Sequence, residues 1–285
     1  GLRMGRFLLF LPLLFSLSAS FDDGTARNFM LPLSAAAYSD TPQQCLDKKL
    51  NGAKLSKQIT LQCDYFKDKC SGFTFVYDSK KVIGLSFRGT TNTAQLVAEV
   101  QESGFEAKVN FIDGGQVSKY FNDAFMQLWN GGLGSDLQTL LSKHKDYTLW
   151  ITGHSLGGAL ASLAAAHVAA NNIHPGSKIT LYTMGEPRNG DQKYADVHDS
   201  LLATEYRITH LRDIVPHVPP EFMKYVHHRY EVFYQNDMNP GDPYTVCSAQ
   251  EDKKCSDQYD VDTSVNDHTH YYGVEVSDFG KNGCK

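Results

Sequence analysis

Hydrophobic positions along this chain alternate between two patterns. Short apolar, aromatic and β-branched runs have the composition of buried strands. They are Phe73–Tyr77, Val82–Phe87, Tyr147–Ile151, Lys178–Met184, Thr204–Leu211 and His228–Tyr234. Longer stretches rich in helix formers lie between them: Lys119–Trp129, Ser135–Lys143 with Ser135 as its N-cap, Ala159–Ala166 and Gln192–Leu202. Phe73–Tyr77 and Val82–Phe87, separated by Asp78–Lys81, predict an antiparallel hairpin. Pro32–Tyr38 predicts a short helix start, Thr93–Glu102 a short helix and Ala107–Phe111 a strand. Asp40–Lys69 and Gly241–Asp267 are polar and cysteine-bearing, and predict loops. Strands alternating with helices predict an α/β fold, with a mixed, mostly parallel central sheet and helices on both faces.

One junction carries chemistry. Tyr147–Ile151 runs into Gly153-His154-Ser155-Leu156-Gly157 and then directly into the alanine-rich helix. Gly-x-Ser-x-Gly between a strand and a helix lifts the serine hydroxyl clear of the sheet at a sharp, strained turn. The helix N-terminus then faces the hydroxyl, so the Leu156 N–H can meet a developing oxyanion. Ser155 is the expected nucleophile.

A serine nucleophile needs a base, and the base an orienting acid. Asp213 follows the strand Thr204–Leu211 and is the first choice of acid, with Glu186 as rival. For the base, His217, His227, His228, His268 and His270 all follow Asp213. His268, in the late segment, is preferred over its near neighbour His270. The loop Arg88-Gly89-Thr90 closes the second hairpin strand, and two readings stay open: Thr90 donates a second N–H to the oxyanion, or Gly89 merely turns the chain out of the hairpin. His268-x-His270 has no acidic or cysteine partner at metal-site spacing, so no metal and no organic cofactor is expected.

The ends of the chain set the compartment. Arg3 and Arg6, the apolar run Phe7–Phe15 and the small residues Ser18-Ala19-Ser20 predict a signal peptide over residues 1–20. A single domain is then expected over 21–285, as a secreted, extracellular protein. Net charge is −5 and becomes about −7 without the two leader arginines. With no basic patch, nucleic acid is excluded as a partner. All six cysteines lie beyond the leader, which predicts disulfides. Fifteen pairings are open. Cys63/Cys70 and Cys247/Cys255 are near neighbours, leaving Cys45 and Cys284 to tie the ends together.

Five separated motifs then occur in a familiar order: FRGTT (Phe87–Thr91), TGHSLGGALASL (Thr152–Leu163), GEPRNG (Gly185–Gly190), RDIVPHVPP (Arg212–Pro220) and DHTHYYG (Asp267–Gly273). In order and spacing, from Gly72 to Gly273, the chain resembles the class 3 lipases, the fungal triacylglycerol lipase group with nematode and plant relatives. The resemblance implies an α/β-hydrolase fold. It also implies Ser155 as nucleophile, Asp213 and His268 as its relay, and Thr90 and Leu156 as oxyanion donors, so that His268 is chosen over His270. The cysteine pattern resembles members with one end-to-end bridge and two local ones. In that family a short helix after the oxyanion loop forms a lid, commonly with a tryptophan. Thr91–Ser103 here has Leu96, Val97 and Val100 but no aromatic, and Tyr120 replaces a residue often small. The expected activity is a secreted serine carboxylic-ester hydrolase, a triacylglycerol lipase first. The expected partner is a lipid or other ester, met in transient contact with a lipid interface by a monomer. An esterase of soluble or phenolic esters and a lipid-binding pseudoenzyme are the alternatives.

Overall fold

The computed structural model describes residues 20–63, 69–90, 107–259 and 264–285. Residues 1–19 of the expected leader, and the segment Thr91–Ser103 with its expected helix Thr93–Glu102, lie outside them. In chain order the first strands are β1 (Lys54–Gln62), β2 (Lys69–Tyr77), β3 (Val82–Phe87), β4 (Lys108–Asn110) and β5 (Gln116–Ser118). They are followed by β6 (Thr148–His154), β7 (Ile179–Met184), β8 (Thr204–His210), β9 (Glu231–Tyr234) and β10 (Thr245–Cys247). Eight form one sheet in the order β1-β2-β3-β6-β7-β8-β9-β10. The pairings from β3 through β9 are parallel, and β1/β2, β2/β3 and β9/β10 are antiparallel. This is the α/β-hydrolase architecture.

Side chains alternate across a strand, and here each face feeds its own core. Ile83, Leu85, Phe87, Leu149, Ile151, Ile179 and Leu181 point to one, under the helices Lys119–Leu128, Gly134–Lys143 and Leu156–Ala170. Val82, Phe73, Phe75, Tyr182, Met184, Tyr206 and Ile208 point to the other, covered by the N-terminal helix Leu31–Ala36 and by Val276 of the last helix. Phe73 to Tyr77 and Val82 to Phe87 pair as the expected hairpin. The helix Leu156–Ala170 is buried on nearly every side instead of along one leucine stripe, because it lies between the sheet and the helix Lys119–Leu128. Its alanines and glycines let it fit there.

Three expectations are corrected. Asp40–Lys69 is not simply loop: it holds the helix Gln43–Lys49 and the strand β1. β1 is a sheet edge with mostly exposed or half-buried residues, so its lysines and glutamines hide the strand pattern. Gly241–Asp267 likewise contains β10, the opposite edge, and begins the short helix Val265–Thr269, capped by the Ser264 side chain. Ser135 is not an N-cap. The chain passes from the turn Trp129–Leu133 straight into the helix Gly134–Lys143, and Ser135 Oγ donates back to the Gly132 carbonyl at 3.1 Å.

The disulfides are Cys45–Cys284, Cys63–Cys70 and Cys247–Cys255, the end-to-end bridge and two local ones that the resemblance implied. No helix among the described residues is long and apolar enough to cross a membrane.

Candidate active site

Ser155 stands where β6 ends and the helix Leu156–Ala170 begins, at φ 61° and ψ −134°. For a residue with a side chain that region costs about 1–3 kcal/mol and persists only when surroundings enforce it. Here they do. A Cβ on Gly153 would lie 2.0 Å from the Gly157 carbonyl oxygen, so strand and helix meet this closely only because Gly153 has no side chain. A Cβ on Gly157 would lie 2.3 Å from the Phe87 carbonyl oxygen, so the loop leaving β3 crosses the helix start at once. That loop carries Arg88, Gly89 and half-buried Thr90 past Ser155. The Leu156 N–H opens the helix and has no acceptor within it. Both expected oxyanion donors therefore belong to elements that converge on the serine.

Asp213 and His268 are brought together. Asp213 follows β8, and both its oxygens lie 2.9 Å from His268 Nδ1. The Tyr271 hydroxyl donates to Oδ2 at 2.7 Å and the Val215 N–H to Oδ1 at 2.8 Å. Burial presses the Asp213 carboxyl upward, but His268, Tyr271 and Val215 outweigh it and hold it below its ordinary value. A carboxylate only accepts, so His268 Nδ1 carries a proton, and Nε2 is the ring nitrogen turned away from Asp213. The His268 backbone lies in the short helix Val265–Thr269, not in a loop.

The serine hydroxyl is not bonded to that pair. Ser155 Oγ and His268 Nε2 are both buried, and neither has a hydrogen-bond partner among the described residues. What joins the two residues is His154, whose ring stacks on that of His268 with centroids 4.7 Å apart and whose Nε2 lies 2.7 Å from the His268 carbonyl. A buried ring nitrogen and a buried hydroxyl without partners among the described residues have the chemistry a base and a nucleophile need.

The competing residues are engaged elsewhere. His270 bonds locally to Asn266 and Thr269. His217 faces Asp257, and His227 Nε2 lies 2.7 Å from the Pro216 carbonyl. Glu186 accepts from Thr183 Oγ1 at 2.7 Å and Asn189 Nδ2 at 3.1 Å, and faces His228. Sequence reasoning passed over Tyr271, Tyr38 and His154 as members of the site. Tyr271 and His154 stood inside motifs already read, but a tyrosine in a helical stretch such as Tyr38 carries no mark that separates it from core.

A second buried polar cluster lies beside the site. His228 faces Glu186 and Glu205, each at 3.3 Å, and His198 Nδ1 is 2.7 Å from Glu205 Oε2. His198, Asp199, Glu205 and His228 offer atoms close enough for a metal ion. The two imidazoles, however, stack at 4.2 Å and 18°, so an ion between them would sit off both ring planes, away from the lone pairs. A second acidic group, Glu221, Glu251 and Asp257, surrounds the Arg188 guanidinium, which holds Glu251 bidentately at 2.9 Å. Protons and an arginine supply the positive charge in both places.

That cluster makes stability depend on pH. Burial pushes His228 down, but Glu186 and Glu205 together raise it to about 10. Burial pushes Glu205 up, but His198 and His228 hold it at about 2. The His228 contribution is thus complete below its ordinary 6.5 and is lost as pH rises to about 10. The Glu205 contribution is complete above 4.5 and is lost as pH falls to about 2. Urea unfolding from pH 6.5 to 10 should show stability falling by up to about 1.4 kcal/mol per pH unit, one proton's worth. His228→Gln should flatten that slope, and an unchanged slope in the variant would remove His228 as its cause.

The family model described as Lipase (class 3) matches residues 84–223. The chain is 32% identical to a lipase of Caenorhabditis elegans over 323 residues, covering 100% of this chain and 90% of that one. It is 31% identical to the lipase of Rhizomucor miehei over 202 residues, 70% of this chain, and spans 54% of that relative's length. Among solved structures it is similar to a triacylglycerol lipase whose catalytic centre is described as a serine protease triad. That match has a TM-score of 0.75 at 27% identity, over 87% of this chain and 93% of that one.

Proposed function

Because this chain belongs to the class 3 lipase family and is a carboxylic-ester hydrolase, we propose that it is a secreted triacylglycerol lipase working through an acyl-enzyme at Ser155. The observation that carries this reading is the buried Asp213–His268 pair at the end of β8, beside a serine whose hydroxyl has no hydrogen-bond partner among the described residues. His268 Nε2 takes the Ser155 proton as Oγ attacks the ester carbonyl carbon. The carbonyl oxygen becomes an oxyanion, held by the N–H groups of Leu156 and Thr90. Collapse breaks the bond to the alcohol, which leaves with the proton from His268. Water then attacks the acyl carbon as His268 takes its proton, and collapse of this second oxyanion breaks the bond to Oγ, which recovers the proton from His268 as the fatty acid leaves. Asp213 stays a carboxylate throughout, orienting His268 and stabilising its charged form. Each step is proton transfer or acyl transfer, and none asks for a metal or organic cofactor.

Three disulfides and the leader over residues 1–20 support an oxidising, extracellular setting for a single domain over 21–285. The substrate reading follows the similar triacylglycerol lipase, with a monomer meeting the lipid interface transiently. Titration with a fluorophosphonate, during fatty-acid release from emulsified triolein, tests it. Activity should fall in proportion to label on Ser155 and vanish at about one equivalent, since one acyl-enzyme forms per site. Hydrolysis surviving full labelling, or label on another residue, would end the assignment. Turnover of soluble esters with none of triolein would reduce it to an esterase.

A further inference from the structure

Tyr38 follows the N-terminal helix Leu31–Ala36 and is buried against the site, far in sequence from the motifs. Its hydroxyl lies 2.8 Å from His154 Nδ1. The ring of His154 continues through Nε2 to the His268 carbonyl at 2.7 Å. We propose that Tyr38 and His154 are positioning residues for ester hydrolysis, a buried relay that holds His268 in place and props the loop at Gly89 beside Ser155. This rests on the reading of Ser155, Asp213 and His268 given above.

The direction of the relay follows from its members. Burial first, and then repulsion from His268, push His154 down to about 3, so its ring is neutral and has one N–H. The His268 carbonyl can only accept, so that N–H is on Nε2 and Nδ1 is an acceptor. Tyr38 must therefore donate its hydroxyl proton to Nδ1. Burial raises the Tyr38 hydroxyl well above its ordinary range, which keeps that proton in place. One tautomer of His154 is selected by two partners at once.

The relay also has an end at the oxyanion loop. A Cβ on Gly89 would lie 2.2 Å from the Tyr38 hydroxyl oxygen and 3.0 Å from Ser155 Cβ, so the tyrosine, the loop and the nucleophile share one contact. The Gly89 N–H turns its positive end to the tyrosine oxygen. Gly89 immediately precedes Thr90, and His154 immediately precedes Ser155. The backbones of an oxyanion donor, the nucleophile and the base are thus referred to one hydroxyl. A neutral ring stacked on His268 adds no opposing charge when His268 becomes an imidazolium.

Four variants test this, with active enzyme counted by fluorophosphonate titration and p-nitrophenyl butyrate as substrate. Tyr38→Phe keeps the ring and removes only the hydroxyl; kcat should drop about tenfold with KM within about twofold, because misplacement acts on the chemical step. His154→Phe should lose about a hundredfold in kcat. His154→Gln, whose amide N–H can still reach the His268 carbonyl, should recover much of that loss. Tyr38→Phe combined with His154→Phe should be no slower than His154→Phe alone, because groups in series do not add. Unchanged kcat in Tyr38→Phe, a loss confined to KM, or additive losses in the double variant would overturn the relay. If His154→Phe fails to fold, Tyr38→Phe and His154→Gln decide it. Wild-type enzyme that takes no label at Ser155 would instead refute the hydrolase mechanism on which the relay depends.

Discussion

Ser155→Ala should lower kcat on emulsified triolein roughly ten-thousand-fold to a million-fold while leaving the protein folded and somewhat more stable. The loss follows from the proposed chemistry: without Oγ there is no acyl-enzyme, and what remains is binding and the two oxyanion donors acting on water attack. The gain in stability follows from the site. Ser155 Oγ is buried without a hydrogen-bond partner among the described residues, a state worth about 1–3 kcal/mol against folding, and alanine removes it. Alanine does not relieve the backbone, because it keeps the Cβ at φ 61°. Ser155→Gly does, and should be more stable than Ser155→Ala by about 1 kcal/mol or more. Both variants should be equally dead. Residual activity within about a hundredfold of wild type in either would mean that the ester is cleaved elsewhere. Equal stability of the two would mean that the turn is not strained.

The two properties diverge because the elbow is held by its surroundings. Gly153 sets the strand–helix contact, and Gly157 lets the loop from β3 lie over the junction. This part of the site was legible in the sequence because it is local: strand, turn and helix are contiguous, and each glycine has a steric reason. Asp213 was legible from its place after a strand rich in alternating apolar residues. The choice between His268 and His270 was not local: the residues favoured His268, and the motif resemblance settled it. In the structure the difference is one of face. The short helix capped by Ser264 turns His268 inward to Asp213, while His270 begins the next extended segment and bonds locally.

Elements formed by distant, polar or edge residues were illegible. β1 reads as charged loop because a sheet edge with solvent on it tolerates lysine and glutamine. The adjacent pair His227 and His228 reads as a strand start, yet the two have opposite fates. His227 is pushed well below its ordinary value, by burial and then by Arg207 and Arg188. His228 is raised between two glutamates that lie 42 and 23 residues earlier in the chain. No spacing rule connects such partners. Tyr38 is the same case within the site, where α/β topology joins what the chain keeps apart.

The bridge whose cysteines are 239 residues apart ties the helix Gln43–Lys49 to the chain end beyond Val276–Lys281, two segments that pack against the N-terminal helix leading to Tyr38, and opening it should destabilise the protein more than opening either local one. In the chain-entropy relation, closing a ring of that length removes enough unfolded-state freedom to be worth about 5 kcal/mol. The bridge Cys63–Cys70, with a separation of 7, removes about half as much. Cys45→Ala with Cys284→Ala should therefore lower Tm by about 10–20 °C, against about 5–10 °C for Cys63→Ala with Cys70→Ala. Both bridged ends are buried, so the alanine pair adds small cavities on the same side of the ledger. At 20 °C the Cys45/Cys284 variant should still hydrolyse ester, since the bridge touches neither Ser155 nor His268. Its activity should then disappear at a lower temperature than that of wild type, in step with the folded fraction. Activity lost well below the unfolding transition would show that the helix before Tyr38 detaches first and releases His154. Equal shifts in Tm for the long and short bridges would instead place the stabilisation in the native contacts around each disulfide, leaving ring size without effect.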